Sequence, residues 1–435
     1  MNLRPLEPYE HWLRSSSTVR WTGRVTQVVG NLVESAGPFC SVGESCEITD
    51  SDGSRFPGEI VGFRGSNVLS MTLEAPQGIR LGDHIVTWGA RSSLRVGPEM
   101  LGRVIDATGQ ALDSRGEYRA TKSRPIDGAA PLALERTLIS EPLGCGIRAV
   151  DGLLTCGRGQ RVGIFGGSGV GKSTLIGMMA RGTAADMTVL ALVGERGREV
   201  GEFLANLGPE GRKRSVVVVS TSDQSALLRI RAAMAATAVA EYFCSQGKNV
   251  LLVVDSLTRF AMAQREIGLA AGEPPTAKGY TPSVLSMLAR LVERAGRFSQ
   301  GSITAFYTVL MEGDDQQDPI VDTVRSLLDG HIVLDRRLAL RNHYPPISVL
   351  DSLSRLMPSV CSREHMQKAG ALRMLLAAYA RSEDLVRIGA YQRGTDPTLD
   401  KALAALPQIE KYLQQEPNEM TPLASNLEQL LALPS

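Results

Sequence analysis

Residues 166–173 read Gly166-Gly167-Ser168-Gly169-Val170-Gly171-Lys172-Ser173, and this stretch decides the fold of the 435-residue chain. It fits the pattern G-x-x-x-x-G-K-[ST]. The glycines let the backbone curl so that successive N–H groups converge on phosphate oxygens. Lys172 can reach the outer phosphates of a bound nucleotide, and the Ser173 hydroxyl can bind Mg²⁺. The sequence therefore predicts a phosphate-binding loop that continues through Thr174 into a helix.

The segments around this loop alternate between apolar strands and helices. Unbroken apolar strands separated by helices form a mostly parallel sheet covered on both faces, so residues 91–360 are predicted to be an α/β domain. The clearest helical pattern, rich in Ala, Leu and Met, runs from Gln224 to Ser245. The predicted strands are Arg161 to Phe165, Thr188 to Val193, Ser215 to Ser220, Asn249 to Val254, Ser302 to Leu310 and His331 to Asp335.

Acidic residues follow two of these strands. Asp255 closes the run that begins at Asn249, and Glu195 comes shortly after Val193. Because ligands gather at the carboxyl ends of parallel strands, Asp255 is predicted to help hold Mg²⁺ and Glu195 to act on the attacking water. Glu199 is a candidate for the water shell of the metal. On spacing alone, a solvated charged loop is an equal alternative for Glu195 and Glu199.

The flanks of the α/β domain have a different character. Residues 21–90 contain short β-rich runs separated by Gly and Asp turns, which predicts a small β-barrel. The runs are Gly23 to Val29, Glu59 to Phe63, Asn67 to Leu73 and His84 to Trp88. Residues 361–435 carry helical periodicity without a convincing strand, which predicts a helical C-terminal domain. In residues 1–20, apolar side chains recur at helical spacing. This pattern predicts an amphipathic helix, which either docks on the protein itself or binds a partner.

Composition excludes several classes of function. With 47 basic and 46 acidic residues the net charge is +1, so the chain has no bulk attraction for nucleic acid or for an anionic membrane. The six cysteines form no Cys-x-x-Cys pair, and we expect reduced, buried thiols in a cytoplasmic protein. The N-terminus does not resemble a signal peptide, and no apolar run is long enough to span a membrane.

Beyond the phosphate loop, three further runs carry a resemblance to a known family. Together the four runs resemble the catalytic subunits of the F-type, V-type and flagellar or type III export ATPases, over nearly the whole chain. Three segments have sequences most similar to those of the flagellar export branch: Glu273 to Tyr280, Asp318 to Arg325 and Gly389 to Gly394. The three further runs are Gly194 to Val200, Asp255 to Arg259, and Tyr344-Pro345 leading to Ser352-Leu353-Ser354-Arg355.

The resemblance implies an architecture and a set of residue roles. It implies a β-barrel, a RecA-like core and a helical C-terminal domain in a six-membered ring. Glu195 matches the catalytic glutamate, and Glu199 matches an acid near the metal. Arg196 matches a catalytic arginine lining the site, and Arg259 matches one at the nucleotide. Tyr344 matches an aromatic that stacks on adenine, and Arg355 matches the arginine that one subunit inserts into its neighbour's site.

The family also implies a function, partners and a location. We expect ATP and Mg²⁺ as ligands, and ATP hydrolysis that drives protein export. Expected partners are regulatory or stator-like proteins, a central stalk, export chaperones with their substrates, and a membrane export gate. The ring would lie at the cytoplasmic face of the inner membrane. Ser348 and Ala289 depart from the family's usual acid and proline, which affects loop geometry more than catalysis.

Four alternative functions use the same phosphate loop. The first is an injectisome ATPase, which shares most of these motifs. The second is the catalytic subunit of a rotary ATP synthase, although the strongly acidic C-terminal segment expected there is missing. The third is a nucleic-acid translocase, which would need basic residues interleaved with the aromatic residues of the barrel. The fourth is a non-catalytic scaffold, against which the presence of Glu195 argues.

Overall fold

The computed structural model describes residues 19–311 and 318–434. The N-terminal segment predicted to bind a partner therefore lies outside the described residues, apart from positions 19 and 20. The described chain forms a β-barrel, a central α/β domain and a C-terminal group of helices, as the sequence predicted. The boundaries between them at residues 90 and 360 stay a prediction.

The barrel is a closed sheet in which neighbouring strands are antiparallel, in the order β1-β2-β5-β4-β3-β6. Alternate side chains such as Val25, Ile48 and Ile85 point inward and fill it. Four of the strands overlap the predicted runs, whereas β2 and β3 were not predicted. Within the described residues the barrel consists of β1 Trp21–Val29, β2 Leu32–Ala36, β3 Glu44–Thr49, β4 Arg55–Arg64, β5 Asn67–Thr72 and β6 His84–Arg91.

The central sheet has the order β19-β18-β12-β17-β15-β13-β14-β8, and every neighbouring pair from β18 to β8 is parallel. Strand β19 closes one edge in the antiparallel direction, and β16 pairs with β17 off this path. Two small ladders, β7 with β9 and β10 with β11, lie outside the sheet. The bounds are β7 Ser93–Val96, β8 Val104–Asp106, β9 Lys122–Pro125, β10 Pro142–Leu143, β11 Cys156–Gly157, β12 Arg161–Gly166, β13 Met187–Glu195, β14 Ser215–Thr221, β15 Asn249–Asp255, β16 Gly296–Arg297, β17 Ser302–Leu310, β18 Gly330–Leu334 and β19 Ile347–Ser354.

Both faces of the sheet are buried, which explains the unbroken apolar strands. In β13, Val189 and Ala191 belong to one hydrophobic cluster, and Leu190 and Leu192 belong to the other. Helices cover each cluster. In the described part of the chain they are α1 Arg148–Leu153, α2 Lys172–Gly182, α3 Gly197–Lys213, α4 Ala226–Ser245, α5 Leu257–Ala271, α6 Pro282–Val292, α7 Pro319–Leu327, α8 Arg336–Leu340, α9 Met357–Val360, α10 Arg363–Arg387, α11 Pro397–Leu413 and α12 Leu423–Ala432.

The C-terminal helices dock on α1 through a buried polar contact. The guanidinium of Arg148 donates to the carbonyls of Tyr412 and Gln414 and pairs with Glu419. The Asp151 carboxylate accepts from the Cys145 amide at 2.7 Å and from the Asn426 side chain at 2.8 Å. Because these groups are buried and paired, the C-terminal helices are held against the domain that carries the phosphate loop.

Two global features complete the description. All six cysteines are free thiols; four are buried as predicted, whereas Cys40 and Cys361 are only half-buried. Of the helices in the described ranges, none is both long enough and apolar enough to cross a membrane.

Candidate active site

The phosphate loop joins the end of β12 to the start of α2. Gly169 and Gly171 have φ values of 74° and 100°, in the left-handed region that favours glycine. This backbone path leaves the N–H groups at the first turn of α2 free to face an anion. The Lys172 Nζ donates to the Gly166 carbonyl at 3.2 Å, across the mouth of the loop. Ser173 and Thr174 follow on the same first turn.

Glu195 and Asp255 end two neighbouring strands beside this loop. Strands β13 and β15 pair so that Leu192 lies opposite Asp255, which places Glu195 just beyond it. The Asp255 side chain is buried, and its Oδ1 accepts a hydrogen bond of 2.5 Å from the Thr308 hydroxyl. Burial lowers the pKa of Lys172, while the charges of Asp255 and Glu195 oppose that shift. The lysine and both acids therefore share one site.

The acidic groups at this site repel one another. Burial raises the pKa of Glu195 to about 8, and the charge of Asp255 and a hydrogen bond with Glu199 add to the rise, while Arg259 opposes it. Burial also raises the pKa of Asp255, whereas the hydrogen bond from Thr308 and the charge of Lys172 lower it. A crowded set of carboxylates next to a phosphate loop suits a divalent cation.

The donor set fits Mg²⁺ that arrives with a nucleotide. Among the described residues, no group of three or more His, Cys, Asp or Glu side chains could hold a metal ion by itself. Mg²⁺ is usually bound by one or two carboxylates together with substrate phosphates and water, not by an all-protein cage. Asp255 lies within electrostatic range of Glu199 and of Lys172, the residue before Ser173, and the role of Ser173, Asp255 and Glu199 as ligands of the cation stays a prediction.

Two arginines flank the acids. Arg196 precedes α3 as its N-cap residue, is largely exposed, and lies 3.8 Å from the Glu199 carboxylate. Arg259 stands on the first turn of α5, and its charge lowers the pKa of Glu195 and of Asp255. It packs close to Gly194, where an added Cβ would lie 3.2 Å from the Arg259 Cβ. Arg259 therefore faces the acids, and Arg196 faces outward.

Tyr344 stands on the other side of the loop, at the mouth of a cavity. Its ring edge would lie 3.7 Å from a Cβ added at Gly171, and its carbonyl accepts from the Gln415 amide at 2.8 Å. Tyr344 is 40% exposed, so part of the residue is accessible to a ligand. The cavity has a volume of about 1110 Å³ and is shared between the central domain and the C-terminal segment, with lining residues that include Arg148, Asn342, Tyr344, Lys411, Gln414 and Glu416.

Arg355 is far from its own phosphate loop. It follows β19, and its amide donates to the Asp329 carbonyl at 3.0 Å, while the Asp329 amide donates to the Arg161 carbonyl at 2.9 Å. It is therefore level with the amino end of β12, whereas the loop leaves the carboxyl end at Gly166. Five residues of strand separate the two ends by about 16 Å. Arg355 is exposed and cannot serve the site of its own chain.

Sequence reasoning missed two parts of this site. Thr308 contacts Asp255 but lies inside a strand that the sequence marks only as apolar. Gln415 and its neighbours form a wall of the cavity, yet the C-terminal segment carries no motif that indicates a ligand. Both contacts arise from packing between elements that are distant in sequence, so no local sequence pattern predicts them.

The fold and the site define a RecA-like P-loop nucleotide-binding protein. The ATP synthase alpha/beta family matches at residues 146–354 through its nucleotide-binding domain and at residues 25–89 through its beta-barrel domain. Residues 361–432 match the T3SS EscN ATPase C-terminal domain. Relatives that match over nearly the whole chain identify the group of proteins within this family.

The flagellum-specific ATP synthase of Treponema pallidum is 52% identical over 94% of this chain and 92% of its own length. The type 3 secretion system ATPase of Sinorhizobium fredii is 47% identical over 96% of this chain and 94% of its own length. The solved structure of the assembled ATPase EscN from the enteropathogenic E. coli type III secretion system superposes with a TM-score of 0.90 at 44% identity, over 95% of this chain and 100% of that one. The chain belongs to the ATP synthase alpha/beta family, in the group of flagellum-specific ATP synthases and type 3 secretion system ATPases.

Proposed function

We propose that this chain is the ATPase of a bacterial protein export apparatus of the flagellar type. The observation that carries the proposal is the convergence of Lys172, Glu195 and Asp255 at one edge of the sheet, beside the phosphate loop. These are the groups that hydrolysis of a nucleoside triphosphate requires: a phosphate ligand, a carboxylate for water and a carboxylate for the metal.

The chain's own residues supply the steps of hydrolysis. The amides of the phosphate loop and Lys172 bind the phosphates, and Ser173, Asp255 and Glu199 would hold the cation. Bound Mg²⁺ would neutralise phosphate charge. Glu195 orients a water so that its oxygen attacks the γ-phosphorus, and it accepts the proton. The bond from the γ-phosphorus to the bridging oxygen breaks, and Lys172 stabilises the charge that remains on ADP.

Other residues position the nucleotide and the transition state. Tyr344 stacks on the adenine at the mouth of the cavity. Arg259 lines the phosphates on the side of the acids, whereas the predicted catalytic Arg196 faces outward in the isolated chain. Arg355 lies at the opposite end of the sheet from its own loop, and we infer that it reaches the γ-phosphate of a neighbouring subunit. A guanidinium supplied in trans is worth roughly 10³–10⁵ in rate, so hydrolysis depends on assembly.

The assembly and the partners are proposed from the relatives. EscN has been solved as an assembled ATPase and in complex with its central stalk EscO, and this chain superposes on the latter with a TM-score of 0.87. We infer a homohexamer with a stalk-like protein in its centre and regulatory or stator-like proteins at its periphery. The ring would receive chaperones and export substrates at the cytoplasmic face of the membrane export gate.

The flagellar branch is favoured over the injectisome branch by identity. Three relatives named flagellum-specific ATP synthase are 49–52% identical, whereas two others of that name, at 47% and 46%, do not exceed the 47% of those named type 3 secretion system ATPase. A rotary ATP synthase is less well supported, because the C-terminal helices match the domain of the EscN ATPase.

The test is ATP turnover by the purified full chain with Glu195→Gln and a matched control. Removing the carboxylate that acts on water is expected to lower turnover by about 10²–10⁴-fold while ATP still binds. Glu202→Gln is the control, because Glu202 stands on α3, the helix that follows Glu195, is exposed and pairs only with Arg198 among the ion pairs of the described residues. Turnover by Glu195→Gln close to that of Glu202→Gln would refute the assignment.

Export itself is tested in cells whose resident flagellar export ATPase has been removed. The wild-type chain is expected to restore secretion of flagellar proteins into the medium, and Glu195→Gln is not. Restoration of injectisome secretion alone, in a matched strain, would instead assign the chain to that branch.

A further inference from the structure

Strand β17 lies between the two strands that carry the site. It pairs with β12, which leads into the phosphate loop, and with β15, which ends at Asp255. Its last residues contact both neighbours: the Met311 amide donates to the Gly166 carbonyl at 3.2 Å, and the Leu310 amide donates to the Thr258 hydroxyl at 2.8 Å. The end of β17 is thus fixed against the loop on one side and against the start of α5 on the other.

Thr308 sits at this end and is fully buried. Its hydroxyl oxygen lies 2.5 Å from Asp255 Oδ1 and 3.4 Å from the Val254 carbonyl. Both of these atoms are acceptors, and a hydroxyl has one proton to donate, so the short contact takes it. A hydrogen bond to a carboxylate is among the stronger ones in proteins, and here it holds a carboxylate that is itself buried.

We propose that Thr308 is a positioning residue for the divalent cation that binds with the nucleotide. By donating to Oδ1, the hydroxyl fixes the rotamer of Asp255 and keeps it an acceptor towards the cation. Groups that orient a metal's carboxylates in this way typically change metal affinity or activity by about 10- to 100-fold when they are removed. This inference rests on the proposed function, because it requires that Asp255 serves a nucleotide-bound cation.

The test measures how much Mg²⁺ tightens binding of a fluorescent, non-hydrolysable ATP analogue to the full chain. Affinity is measured with saturating Mg²⁺ and again with EDTA. Thr308→Val, which removes the hydroxyl and keeps the shape, is expected to reduce the Mg²⁺-dependent gain by about 10- to 100-fold. Its affinity in EDTA should stay within about twofold of the wild type, because no phosphate ligand is lost. Thr308→Ser restores the donor and should recover most of the gain.

Thr304→Val is the matched control. Thr304 is buried on the same strand, and its hydroxyl accepts from the Gly159 amide at 2.8 Å, at the end of the sheet away from the site. Thr304→Val should show the wild-type Mg²⁺-dependent gain in affinity, although it also loses a buried hydrogen bond. If Thr308→Val does not fold, Thr308→Ala replaces it, with thermal unfolding as the check.

Three results would overturn the inference, and a fourth concerns the proposed function. A wild-type Mg²⁺ response in Thr308→Val, or an equal loss in Thr304→Val, would show that the Thr308 hydroxyl has no special role. A wild-type chain whose affinity for the analogue is the same in Mg²⁺ and in EDTA would also refute the inference. A wild-type chain that binds no nucleotide would refute the proposed function, and the inference with it.

Discussion

At the residue scale, the proposed stacking of adenine on Tyr344 can be tested directly. Stacking of a base on an aromatic ring contributes about 1–3 kcal/mol. Tyr344→Ala is therefore expected to weaken ATP binding by about tenfold or more, measured by calorimetry. Tyr344→Phe keeps the ring and should bind ATP nearly as well as the wild type. Equal affinities for all three proteins would place the adenine elsewhere in the cavity.

The same scale shows which parts of the site a sequence can predict. Lys172, Glu195 and Asp255 come together because each begins or ends an element at the carboxyl edge of a parallel sheet, and that edge could be inferred from the strand pattern. Thr308 could not be found this way, since a threonine inside an apolar strand gives no sign of which acid it will face. The distance from Arg355 to its own loop also needed the strand register.

At the element scale, the predictions failed where strands are short and polar. Strand β3 reads Glu-Ser-Cys-Glu-Ile-Thr, and only Cys46 and Ile48 point into the barrel. Strand β2 contains Glu34, which is buried and paired with Arg64. Glutamate and serine are uncommon in strands, so closure of the barrel, not local propensity, holds these segments extended. Six strands of the central sheet were predicted because both of their faces are buried, whereas β8, β16 and β19 were not predicted.

The contact between α1 and the C-terminal helices gives a second test at this scale. A Cβ added at Gly152 would lie 2.2 Å from the Tyr412 hydroxyl and 3.2 Å from a Leu430 methyl. Tyr412 is buried and its hydroxyl is hydrogen-bonded, so it cannot move aside freely. Gly152→Ala is expected to lower the free energy of unfolding by about 1–3 kcal/mol, measured by urea denaturation.

Gly370→Ala is the control for that measurement. Gly370 lies on an exposed face of α10, and an added Cβ there meets no atom within 4 Å. Replacing glycine by alanine in an exposed helix should raise stability by about 0.5–1 kcal/mol. A Gly152→Ala protein as stable as Gly370→Ala would mean that the C-terminal helices do not pack on α1 as described.

At the scale of the whole molecule, we propose that the two ends of the central sheet carry different halves of one catalytic site. The phosphate loop, Glu195 and Asp255 lie at the carboxyl end, and Arg355 lies about 16 Å away at the amino end. In a ring, each subunit would present its loop to one neighbour and its arginine to the other. The arrangement of the strands would then determine both where the site lies and why it needs a neighbouring subunit.

The most direct test of this shared site is the ATPase rate of a mixture of two variants. Glu195→Gln and Arg355→Ala should each be nearly inactive alone, although both bind nucleotide and assemble, as light scattering can show. In an equal mixture, about one interface in four pairs an intact Glu195 with a neighbour's intact Arg355. We predict a rate well above either variant alone, up to about a quarter of the wild-type value. A mixture no more active than its two components, in rings shown to exchange subunits, would contradict the shared site.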